Sequence, residues 1–94
     1  MAETPHLFQP GQIVSTRGAL RALLEARVEG LALVERHLHG DFGDLCTDDR
    51  EQNSLAIRLG DRVLSSYLLP TQQKVWVITE ADRSVTTLLL PEEY

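Results

Sequence analysis

The side chains through which this chain could do chemistry fall into three groups. The first is the run Arg36-His37-Leu38-His39-Gly40-Asp41-Phe42-Gly43-Asp44. His37, His39, Asp41 and Asp44 are the residue types that hold metals or move protons near neutral pH. Their spacing matches no ligand signature. On a continuing helix His37 and His39 point about 200° apart, so they do not converge on one ion. No metal site is therefore expected, and surface histidines with turn-forming aspartates are the plainer expectation. Gly40-x-x-Gly43 is not a phosphate loop, because no Lys-Ser/Thr follows it.

The second group lies on a helix expected to start at Thr47-Asp48-Asp49, with Thr47 or Asp48 as its cap. At 100° per residue, Leu55, Ala56, Ile57 and Leu59 define its buried arc. Gln52 falls inside that arc, and Asp49 and Asn53 lie on its flank. Buried polar groups must find partners or cost free energy. Asp49, Gln52 and Asn53 are therefore expected to form one hydrogen-bonded cluster beside the Gly40–Asp44 loop. A cap, a buried network and a pocket all remain open. With Asp41 and Asp44 these three are the candidate binding set. The third group is Arg83 with Thr86 and Thr87, where an arginine fork beside threonine hydroxyls could hold a phosphate.

The elements that must position these groups follow from hydrophobic period. Residues 1–10 read as a flexible tail ahead of a single domain at 11–94. Gln12 to Ser15 is a short extended candidate, and Thr16 can cap a helix carrying Leu20, Leu23 and Leu24. A second helix presents Leu31, Val34 and Leu38, with Gly40 as its stop. Beyond Gly60 the period changes from 3.6 to 2. Arg62–Leu69, Lys74–Glu80 and Ser84–Leu90 are rich in β-branched and aromatic residues. Hairpin-length connections predict that they form an antiparallel meander. The expected fold is α+β: short N-terminal helices on a C-terminal three-stranded antiparallel meander, with room for a short extra N-terminal strand. Apolar residues alternate onto both faces of the strands, so the expectation is either a strongly twisted sheet with the helices wrapped around it or one face that meets a partner chain.

Composition narrows the function classes. The chain has 94 residues and a net charge of −5, from 14 acidic and 9 basic residues, with Lys74 the single lysine. No cluster of cations offers counterion release from phosphates, so nucleic acid is not an expected partner. Cys46 is the one cysteine, which excludes an internal disulfide and fits a reducing compartment. No leader-like or membrane-length apolar run is visible, so a cytoplasmic location is expected. No cofactor motif is present, and none is expected.

Three stretches carry a resemblance. They are Arg62-Val63-Leu64-Ser65-Ser66-Tyr67, Lys74-Val75-Trp76-Val77-Ile78-Thr79-Glu80-Ala81-Asp82-Arg83-Ser84 and Thr86-Thr87-Leu88-Leu89-Leu90-Pro91-Glu92-Glu93-Tyr94. With Gly18-Ala19-Leu20 and His39-Gly40-Asp41-Phe42-Gly43-Asp44-Leu45, they resemble a family of short bacterial mobile-element proteins. These carry labels such as "plasmid-related" or "type I restriction endonuclease subunit M". The resemblance implies a mobile-element setting but transfers no catalytic residue. A chain of this length does not hold a methyltransferase domain. Element order alone is also similar to the barnase, EndoU, colicin and RelE nuclease fold. The leading expectation is a small accessory protein acting through protein–protein interaction or self-association. The alternative is a small nuclease or nuclease-derived domain using His37 or His39, Asp49, Asn53, Arg83, and Thr86 or Thr87.

Overall fold

The computed structural model describes residues 5–94. Strand β1 (Gln12–Ser15) leads into helices α1 (Arg17–Ala26), α2 (Gly30–Leu38) and α3 (Thr47–Leu59). Strands β2 (Val63–Leu68), β3 (Lys74–Thr79) and β4 (Val85–Leu89) follow, with a terminal 3₁₀ turn at Pro91–Glu93. The sheet has four strands in the order β1-β4-β3-β2.

This corrects the expected three-stranded antiparallel meander. Strands β2, β3 and β4 pair antiparallel in sequence, but β1 joins β4 in parallel, Gln12 opposite Val85 and Ser15 opposite Leu88. The sheet is therefore mixed. Neighbouring strands in a chain announce their pairing through short turns. A parallel partner must return through a crossover, here three helices and two strands long, and leaves no local signal.

Pleating divides the sheet into two faces. One carries Val63, Ser65, Tyr67, Val75, Val77, Thr79, Thr86 and Leu88, all buried. The helices pack here, α1 against β4, α2 against β3 and α3 against β2. The opposite face carries Leu64, Trp76, Ile78, Thr87 and Leu89. There Leu68 stays 52% exposed, and the Tyr94 ring meets Trp76 edge-on at 5.7 Å.

Helix α2 buries Val34 and Leu38 as its spacing suggests, with Leu31 exposed, whereas α1 and α3 bury other faces than their leucines suggest. Helix α1 starts at Thr16, whose hydroxyl accepts from the Ala19 amide, and ends where Arg27 turns left-handed at φ 58°. It buries Ala19, Ala22 and Leu23, leaving Leu20 and Leu24 53% and 70% exposed. Small alanines let α1 approach the sheet closely, so the larger leucines are displaced outward. Helix α3 buries Asn53 and Ala56, while Leu55 and Leu59 face solvent. Its N-cap is Cys46, with no side-chain cap bond, so neither Thr47 nor Asp48 fills that role. Gly60, at φ 77°, closes it.

Residues 1–4 of the expected tail lie outside the described residues. After them, the Leu7 amide bonds the Leu38 carbonyl at 2.8 Å and Phe8 is buried. Gly43, at φ 78°, crosses the outer edge of β2 so closely that a Cβ there would fall 1.8 Å from the Ser66 carbonyl oxygen. The Asp44 amide donates to Ser66 and the Ser66 amide to Phe42, so this loop covers that sheet edge.

Candidate functional site

His37 extends from α2 onto the helix-covered face of the sheet and is fully buried. Its partners form a chain whose polarity can be assigned. Thr86 donates its hydroxyl proton to the Pro10 carbonyl at 2.7 Å. With that proton spent, Thr86 accepts from Thr79 at 2.7 Å, and Thr79 accepts from His37 Nε2–H at 2.9 Å. Nδ1 then accepts the Ser65 hydroxyl at 2.6 Å. One proton per hydroxyl fixes the neutral Nε2–H tautomer. Burial, with a smaller push from the Arg83 charge, lowers the imidazole to about 4. Closed off from solvent and satisfied on both nitrogens, His37 ties α2 to the sheet.

The other expected site residues are scattered. Asn53 clamps the backbone of β2, its amide donating to the Leu64 carbonyl and its oxygen accepting from the Leu64 amide at 3.1 Å. Gln52 is exposed, and the Asp49 carboxylate meets the Cys46 thiol at 3.3 Å. Asp49, Gln52 and Asn53 therefore do not form one cluster. A wheel oriented on the leucines of α3 turns Gln52 inward, whereas the helix is rotated so that Asn53 faces the sheet. Arg83 donates to the carbonyls of Ala56 and Asp61, in the last turn of α3 and just beyond it, and of Glu80 after β3, so its fork is occupied. Thr86 is buried and Thr87 lies on the opposite face. Asp41 forms a two-pronged pair with Arg36 at 2.7 and 3.3 Å, which holds its carboxyl below the usual range. The Asp41 carbonyl accepts from the Tyr67 hydroxyl, and burial pushes that phenol up to about 12. Asp44 pairs with Lys74 at 3.3 Å.

His39 is the exception, because it sits in an open cluster. At the end of α2 its Nδ1 lies 2.7 Å from the Glu35 carbonyl and 3.7 Å from the Glu35 carboxylate. His6 reaches the same carboxylate oxygen through Nε2 at 3.1 Å. The two imidazoles stand edge to face, 4.9 Å apart. Their side chains remain 34% and 30% exposed, and that of Glu35 59%. Among the described residues, these three form the group of His, Cys, Asp or Glu side chains able to share an ion. His39 also borders an open cleft of about 370 Å³ with Leu7, Phe42 and Ile57 in its wall and Ser54 and Arg58 on its rim.

Neither His6 nor Glu35 stands out in the sequence. Glu35-x-x-x-His39 carries a readable signal, since residues four apart share a helix face. His6 carries none. It arrives because the Leu7 amide bonds α2 and the Phe8 ring packs against His37 at 5.1 Å, under the Arg83 guanidinium. The chain matches no family model, no curated protein and no solved structure.

Proposed function

We propose that this chain is a small hydrolytic domain of the nuclease-derived kind, working at the His6–Glu35–His39 cluster, of which the sequence singles out His39 alone. The observation that carries this reading is that cluster: two imidazoles around one carboxylate, open to solvent, beside a cleft. Imidazoles near a carboxylate supply proton transfer or metal coordination. Arg58 on the cleft rim offers a cation for a phosphodiester oxygen, with Ser54 as a neutral hydrogen-bonding partner. The net charge of −5 favours a short single strand or a small phosphodiester over a duplex. The mobile-element setting implied by the sequence resemblance belongs to the same proposal.

The test is turnover of a labelled single-stranded RNA, a labelled single-stranded DNA and a chromogenic phosphodiester at physiological salt. Cleavage is expected in the parent and lost in His39→Ala and in Arg58→Ala. Equal turnover in parent and variants, or none in any, rejects the reading.

A second reading rests on a different observation. An apolar groove of about 410 Å³ runs beside β1, lined by Ile13, Val14, Leu20, Leu24 and Leu31. Gln12 and Thr16 spend their amides on β4, so Ile13 and Ser15 turn theirs to the outer edge. An unpaired edge flanked by leucines suits a second copy of the chain, paired about a two-fold axis. The accessory-protein reading then follows, and light scattering decides it. A dimer that Ile13→Lys converts to monomer supports it.

A further inference from the structure

We propose that His6, Glu35 and His39 bind a divalent transition ion of the zinc type, with the fourth position left to water on the solvent side. The proposal deepens the functional reading above by naming the ion its site would take.

The donor set is two imidazoles and one carboxylate, which suits zinc and its neighbours and leaves one position for water. Ligands about 2.0–2.2 Å from a tetrahedral ion stand about 3.3–3.5 Å from one another. His6 Nε2 stands 3.1 Å from the Glu35 oxygen, near that range, and one ligand atom from each of the three residues lies within 4.8 Å of the others.

The supports are also in place. Glu35 and His39 sit one turn apart, so α2 fixes their relation. His6 is held by the Leu7–Leu38 backbone bond and by Phe8 anchored beside it. The His39 Nδ1–H is directed at the Glu35 carbonyl, which puts the ring's lone pair on Nε2. A backbone carbonyl in this role orients metal-binding histidines generally. His37 cannot compete, because both its nitrogens are engaged inside the core.

The experiment is calorimetric titration of the full chain with zinc chloride at neutral pH, with no substrate present. One equivalent is expected to bind. Removing an outer-shell partner of a metal costs about 10–100-fold in affinity, so loss of a ligand in His6→Ala or His39→Ala should cost at least tenfold. Glu35→Gln should weaken binding while leaving the zinc-free melting temperature close to the parent's. Imidazole NMR of the parent should show the His6 and His39 rings shifting on zinc addition and His37 unmoved. Cys46 is the other exposed soft ligand, and Cys46→Ser should bind as the parent does. Parent affinity no higher than that of His6→Ala and His39→Ala would overturn the proposal, as would loss of binding in Cys46→Ser. The two readings fail separately. Phosphodiester cleavage that persists in chelator rejects the metal and leaves the nuclease, and zinc bound without cleavage does the reverse.

Discussion

Acid should unfold this protein through His37 before its carboxylates are titrated. The perturbation is a fall from pH 7 to pH 5. In the folded state the ring is neutral and its proton affinity is lowered from 6.5 to about 4, chiefly by burial. In the unfolded chain it returns to its ordinary value. Between those two values the unfolded state binds the proton and the folded state does not, so stability falls as pH falls through this window. Each pH step of one across the window is worth about 1.4 kcal/mol, so the loss between pH 7 and pH 5 is about 2 kcal/mol. Below about 4 both states are protonated and the contribution stops growing. The carboxyls held low in the fold, among them Asp41 and Asp82, act only at the bottom of this range and beyond. The assay is urea unfolding at pH 7, 6 and 5 for the parent and His37→Gln. The variant should start less stable at pH 7, because an amide replaces the ring in a fully bonded chain. Its stability should then fall by about 2 kcal/mol less than the parent's. Parallel pH profiles would refute both the burial of His37 and the neutral tautomer assigned to it.

Asn53→Ala should cost about 1–3 kcal/mol, because it leaves both Leu64 backbone groups without the side-chain clamp. Gln52→Leu, one residue away on the exposed side, should change the unfolding midpoint little. Phe8→Ala should cost about 3–5 kcal/mol by emptying the space between His37 and Arg83, measured in the same urea series. It should also weaken zinc binding by releasing His6, which calorimetry would register. Gly43→Ala should largely abolish folding, since its Cβ would collide with the Ser66 backbone at a left-handed φ. A variant with native circular dichroism and an unchanged melt would contradict the path of that loop.

The alternation after Gly60 is legible because a strand repeats every two residues. Gly60 itself marks the end of α3 because few other residues accept a left-handed cap. Thr16 announces α1 for a similarly local reason, a hydroxyl in reach of the Ala19 amide. Which helix face turns inward is another matter. The leucines of α1 and α3 suggest one face, yet close packing chose Ala19 and Ala22 in one helix and Asn53 and Ala56 in the other. Helical periodicity records where apolar residues are, while packing depends on which surface fits the sheet. The candidate site is the least readable part. His37 and His39 are near neighbours in sequence, but opposite helix faces send one into the core and the other to the surface. His6 joins His39 across more than thirty residues, through one backbone bond and one buried ring. The parallel pairing of β1 with β4 arises in the same way. Local chemistry set turns, caps and strand period. Long-range contacts decided the sheet order and the meeting of His6 and His39 around Glu35, because their free energy exists only once the chain has closed on itself.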